Sequence, residues 1–194
     1  MNTQTHMLMG AALLGSAADE SLTAAAVLGG LAPDLPMILM VLGARWVQRK
    51  SPREIFGTLY FLDGWQRLLA PWHSLPLWGA GLTAGWAAGS KLAIAFAASG
   101  LLHIAIDFFL HAHDAHRQLW PFSNWRFQSP VSYWDSRFHG RLFRQFELVL
   151  MMALAVALLV QHWSLWAGAV VAVVVVLYGA QLSYFWRMAQ RHGR

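Results

Sequence analysis

The sequence predicts an all-α, multi-spanning membrane bundle with a short helical hairpin at its N-terminus. Three observations predict it. Of its 194 residues, 57% are hydrophobic and only 12% charged, about half the charged share of a soluble domain. Residues 148–186 contain no Asp, Glu, Lys or Arg, enough for two crossings of about 20 residues each. Residues 68–90 are equally free of charge, and a further apolar run follows at Leu92–Leu110. A disordered chain is excluded, and the composition argues against a soluble enzyme with one ordinary core. The absence of Cys excludes a disulfide framework, a thiolate metal site and a Cys nucleophile.

Taken in order, the elements are these. Met7–Ala18 is apolar but too short to cross alone, and its leader lacks the positive charge of a signal peptide, so it reads as a retained helix. Asp19, Glu20 and Ser21 make a polar turn, with Ser21 as a possible N-cap. Leu22–Leu31 is a second short helix, stopped by Ala32-Pro33-Asp34-Leu35-Pro36. Met37–Val47 continues the apolar character before a basic stretch at 45–53, and residues 54–70 suit an interfacial helix. The runs 68–90 and 92–110 form a helical hairpin turning near Gly89–Lys91, with Gly and Trp suiting close packing and a membrane-interface belt. Two last spans lie near Phe146–Val160 and Leu165–Trp186, joined by a turn at Gln161, His162 and Ser164. Residues 1–194 thus read as one integral membrane domain, with the polar positions in 1–125 and two plain spans in 146–186.

The net charge of +5 is dispersed, so it reads as membrane-flanking charge and not as a nucleic-acid footprint. Arg45, Arg49, Lys50, Arg53 and Arg67 fall in one loop, and Arg117, Arg126, Arg137, Arg141 and Arg144 in another. The turns at 19–21 and 161–164 have none, which places both basic loops and the tail on the cytoplasmic side.

Ionisable groups inside apolar helices are expensive and face a polar interior. His103 and Asp107 stand four apart, on one helix face, where imidazole and carboxylate can grip a single divalent cation. If that helix continues, Asp114 returns to nearly the same face with His111 beside it, and His113 and His116 add further donors. The N-terminal hairpin brings the outer ends of its helices together, and with them His6 and Asp34. The next hairpin brings His73 to the end that carries His103 and Asp107. The set has N and O donors only, which suits Zn²⁺ or Mn²⁺, as one ion or two. Each residue has a plainer reading: a helix cap or interfacial side chain for His6 and His73, a turn residue for Asp34, positive-inside charge for Arg117 and Arg126.

These residues carry a family likeness. Thr5-His6 before a Gly/Ala-rich helix, Ala32-Pro33-Asp34-Leu35, Trp72-His73-Ser74-Leu75, Leu102-His103-Ile104-Ala105-Ile106-Asp107 and Leu119-Trp120-Pro121-Phe122-Ser123 follow in order over residues 1–125. Together they resemble the YdjM-like family of bacterial inner-membrane proteins, described as LexA-regulated metal-dependent hydrolases. The resemblance implies that His6, Asp34, His73, His103 and Asp107 are the polar positions of a metal-centred site. Many relatives carry a His-Arg pair shortly before the motif matched by His73-Ser74, where this chain has Gln66-Arg67. Either a His of 111–116, with His111 the first choice, replaces the missing ligand, or the metal number differs. Zinc-dependent phospholipases C also use a His-x3-Asp pair, an analogy of site chemistry that points to a phosphoester of a lipid.

The expectation is therefore a membrane-embedded hydrolase acting on a phosphoester or ester of a lipid-like substrate with metal-activated water. Asp34 or Asp107 would take the proton, and Arg117 or Arg126 would hold a phosphate. A metal or proton transporter and a non-catalytic membrane adaptor are the alternatives; the sequence leaves the oligomeric state open.

Overall fold

A computed structural model describes residues 1–161 and 163–192, with the side chains of 182 and 184–192 left aside. His162 and the tail residues Arg187, Arg191 and Arg194, used above for turn and topology, lie outside what is described of side chains. The described chain is helical, without a β-sheet. Its helices are α1 (Thr3–Leu14), α2 (Glu20–Leu31), α3 (Leu35–Leu42), α4 (Pro52–Gly57), α5 (Asp63–Leu69), α6 (Leu75–Ala87), α7 (Lys91–Asp107), α8 (Gly140–Gln161) and α9 (Leu165–His192).

Local chemistry sets most of the boundaries. The Asp19 carboxylate, not Ser21, caps α2, accepting from the Ser21 and Leu22 N–H groups. Ser74 caps α6 through the Leu77 N–H, and Ser90 caps α7 through the Ala93 N–H. Gly89 turns the α6–α7 hairpin in the left-handed region, φ 62°. Residues 54–70 are not one interfacial helix. They break into α4, a 3-10 turn at Leu59–Phe61 and α5, with Ser51 and Glu54 forming a capping box at the start.

The two prolines after α2 do not end the helical path. Pro33 sits in the first turn of a 3-10 segment, Ala32–Asp34, and Pro36 in the first turn of α3. At such positions proline's missing N–H is no loss. The path therefore runs from Glu20 to Val47, 28 residues, long and apolar enough to cross a membrane. The 22-residue α8 meets the same test and begins six residues before the span expected at Phe146. The α6–α7 hairpin forms where the sequence places it. Its helices have 13 and 17 residues, fewer than the roughly 20 of a full crossing.

At the centre, α1 lies among α2, α7, α8 and α9. Leu8, Ala11 and Ala12 of α1 pack with Val27 of α2, Leu154 and Leu158 of α8, and Val170 and Val174 of α9. The outer faces of α8 and α9 leave Val149, Val156, Val160 and Val176 exposed, an apolar surface suited to lipid. The α2–α7 contact is very close. A Cβ on Gly29 would lie 2.1 Å from the Phe96 carbonyl oxygen, and one on Gly30 would lie 2.6 Å from the His6 carbonyl oxygen.

Gly29→Val should therefore push α2 off α7 and cost about 1–3 kcal/mol or more, the usual scale for overpacking. Thermal unfolding in detergent checks this. A melting temperature equal to wild type would show that the helices do not approach this closely.

Candidate metal centre

α1, the 3-10 turn before α3, the start of α6 and the end of α7 bring their polar residues to one end of the bundle. His6, Asp34, His73, His103 and Asp107 are all buried, none more than 5% exposed. They form two donor triads, His6–His103–Asp107 and Asp34–His73–His103. Within each triad the potential ligand atoms lie within 4.8 Å of one another. His103 belongs to both.

The orientation of His103 is fixed by α2. Its Nδ1 stands 2.7 Å from the Gly30 carbonyl, which only accepts, so Nδ1 carries the proton. Nε2 is left as a lone pair. It lies 3.4 Å from Asp107 Oδ2 and 3.7 Å from Asp34 Oδ1. Metal-ligating imidazoles are held in this way, with the far nitrogen donating to a carbonyl or carboxylate. Asp107 offers both oxygens: Oδ1 lies 3.0 Å from His6 Nε2, and Oδ2 lies 3.2 Å from His111 Nε2. The Met1 amino group also donates to Oδ1. Asp34 accepts the Thr3 hydroxyl on Oδ2 at 2.5 Å, while its Oδ1 lies 3.8 Å from His73 Nε2.

α7 ends at Asp107 and does not continue to Asp114. The loop nonetheless folds His111 and Asp114 back onto the cluster. His111 Nδ1 lies 2.7 Å from Asp114 Oδ2, which also accepts from the Trp134 indole N–H at 2.9 Å. Asp114 thus does for His111 what Gly30 does for His103. Burial works against a charged His111, but Asp107 and Asp114 outweigh it and push its pKa up to about 9. Two carboxylates that hold a proton so firmly would equally favour a cation in its place. His116 stacks on His73 with ring centroids 3.6 Å apart. His113 is the more exposed member of this run and faces Asp135 at 3.9 Å.

Four buried imidazole nitrogens have no hydrogen-bond partner among the described residues: His6 Nδ1, His73 Nδ1 and Nε2, and His103 Nε2. Buried polar atoms are normally satisfied, and leaving them bare costs about 1–3 kcal/mol each. Unsatisfied lone pairs beside two carboxylates fit a divalent cation, with His6, Asp34, His73, His103, Asp107 and His111 as the residues that would hold it.

Arg117 follows His116 directly and keeps a buried Nε without a partner among the described residues. Arg117 donates to Asp63 at 3.1 Å. Burial and the neighbouring Arg117 lower the pKa of Arg126. A residue the sequence reading passed over is Glu147 of α8, fully buried. It accepts the Asn2 backbone N–H and side-chain amide at 2.6 Å each, and the Thr5 hydroxyl at 2.9 Å. A carboxylate at the N-terminus of α1 meets its unpaired N–H groups and its dipole, and so fixes the helix that carries Thr3 and His6. Its position at the edge of a charge-free run, three residues after Arg144, made it look like ordinary flanking charge.

Two substitutions check these supports. Asp114→Asn should weaken metal binding about 10–100-fold, the usual scale for such outer partners, as read by chelator competition. Unaltered affinity would place His111 outside the centre. Glu147→Ala should destabilise the protein by about 1–3 kcal/mol, because it strands the Asn2 and Thr5 donors in the interior. An unchanged melting temperature would mean that α1 is anchored elsewhere.

No curated protein and no solved structure matches this chain. The family model described as YdjM inner membrane protein matches residues 1–190, nearly the whole sequence and both of the last helices. The chain belongs to the YdjM inner membrane protein family.

Proposed function

We propose that the chain is a membrane-embedded, metal-dependent hydrolase of phosphoester or ester bonds, crossing the inner membrane more than once. The observation that carries this reading is the pair of buried donor triads sharing His103, whose Nε2 lone pair faces both Asp34 and Asp107. A set of imidazole and carboxylate donors without thiolate suits Zn²⁺ first and Mn²⁺ second, and two triads give room for one ion or two. Bound there, such an ion supplies Lewis acidity, which acidifies water and polarises an ester oxygen.

The two carboxylates have different surroundings and so different tasks. Asp107 is hemmed in by His6, His103 and His111 and serves as a ligand. Asp34 has Oδ2 occupied by Thr3, but Oδ1 is beyond hydrogen-bond reach of His73 and His103. Where it is not taken up as a ligand, Asp34 Oδ1 is the better placed atom to receive a proton from an attacking water. The Thr3 hydroxyl keeps the carboxylate turned that way. Gly30 and Asp114 hold His103 and His111 against rotation. Convergence of these groups in one cluster, instead of at several depths, favours a reaction site over a transport pathway. The bare imidazole nitrogens speak against a purely structural adaptor.

Elemental analysis of purified protein tests this together with hydrolysis of bis-p-nitrophenyl phosphate. The wild type should carry at least one equivalent of metal, and His103→Ala should lose both metal and turnover. Asp34→Asn should lower turnover about 10²–10⁴-fold, the range for loss of a general base. Metal content unchanged in His103→Ala would sink the centre. Metal-loaded wild type with no turnover on any ester would sink the chemistry.

A further inference from the structure

Beside the donor cluster lies a cavity of about 470 Å³, within the range of small-molecule sites. Its walls have two characters. Leu31, Met37, Ile38, Phe56 and Leu177, from α2, α3, α4 and α9, make an apolar side. His111 and Asp114 line it where it meets the candidate metal centre. Gln4, Arg144 and Tyr178 are polar groups in the same wall.

Those polar groups are poorly satisfied within the protein. Gln4 Oε1 and the Tyr178 hydroxyl are buried and have no hydrogen-bond partner among the described residues. Tyr178 itself is only 2% exposed. Arg144 reaches the Trp134 carbonyl at a long 3.5 Å, and no carboxylate is recorded against it among the described residues. A half-buried guanidinium of this kind is suited to carboxylate or phosphate. The bare Tyr178 hydroxyl in the same lining can donate a further hydrogen bond to such an anion, whereas Gln4 Oε1 only accepts and suits a hydroxyl of the bound molecule. The apolar side has the opposite requirement and is satisfied by hydrocarbon.

We propose that this cavity binds one amphiphile, with a single apolar chain against Leu31, Met37, Ile38 and Leu177 and a phosphate-type anion held by the Arg144 guanidinium and the Tyr178 hydroxyl. Arg144, and not Arg117 or Arg126, is then the anion-binding arginine. The assignment rests on the hydrolytic reading only for the fate of the bound molecule: Arg144 reaches Trp134, whose indole holds Asp114, and Asp114 and His111 line the same cavity. Occupation from the membrane follows from the walls, since α3 and α9 are also helices whose outer faces are apolar and exposed.

A photoreactive dodecyl phosphate with a diazirine on its chain tests this in nanodiscs, with adducts mapped by mass spectrometry. The outer face of α8, at Val149 and Val156, provides an internal standard for labelling from bulk lipid. Adducts are expected at Met37, Ile38 and Leu177, and excess dodecyl phosphate should compete them away. Inorganic phosphate should not compete. Ile38→Trp, which fills the apolar side, and Arg144→Gln, which removes the cation, should each cut cavity adducts at least fivefold while α8 adducts stay constant. Metal content retained in Arg144→Gln shows that the fold and the centre are intact. Cavity adducts equal to wild type in Arg144→Gln, adducts confined to α8, or full competition by inorganic phosphate would each overturn the proposal. Cavity labelling that survives in metal-loaded protein without turnover supports the cavity assignment and defeats the hydrolytic one.

Discussion

The structure depends on the cost of burying charge. The carboxylates of Asp34, Asp107 and Asp114 and the imidazoles of His6, His73, His103, His111 and His116 are all buried in the bundle, where water solvates them poorly. Such groups persist only if they are held against one another or against opposite charge, as the Met1 amino group is against Asp107. Asp107 is the clearest case. It is shared among three imidazoles, from α1, from its own helix and from the loop beyond. No one element could assemble that environment, so the helices must converge, and the close contacts elsewhere in the bundle serve that convergence.

The small residues of α2 show how. Gly29 and Gly30 let α2 touch the backbones of α7 and α1. Only at that separation can the Gly30 carbonyl reach His103 Nδ1 across 73 residues of sequence. A side chain there would part the helices and release the ring that both donor triads share. On the opposite flank Glu147 performs the matching task for α1. A 12-residue helix is too short to be fixed by crossing a bilayer, and its N-terminus is tied instead to a carboxylate inside α8. The two anchors place His6 and His103 with their rings stacked 3.6 Å apart.

What the sequence made legible follows the same physics. The helices, the hairpin turn at Gly89 and the joint location of His6, Asp34, His73, His103 and Asp107 could all be read. Ionisable residues in apolar runs are rare enough to stand out, and short antiparallel helices bring their ends together. Three things were hidden. Pro33 and Pro36 looked like helix breakers, because tolerance of proline in a first turn depends on where that turn begins. Asp114 was assigned to the cluster through a continuing helix, yet it arrives by a loop, whose path carries no periodicity to read. Arg144 looked like flanking charge and Glu147 was passed over, since nothing in a sequence distinguishes a charge at the edge of a span from one turned inward against another helix.

The loop after Asp107 joins the two halves of the site. His111 is within reach of Asp107 on one side and lines the cavity on the other, and Asp114 holds His111 while Trp134 holds Asp114. Thr3 makes a similar link from α1, since it orients Asp34 and also lines the cavity. A molecule in the cavity therefore meets His111 together with Thr3 and Asp114, the residues that orient Asp34 and His111. His103 is clamped by the α2 backbone at Gly30, whereas His111 sits on a loop and is held by the side chains of Asp114 and Asp107. Any adjustment of the centre to a bound molecule would fall on His111 and Asp114, with His103 and Asp107 as the fixed frame.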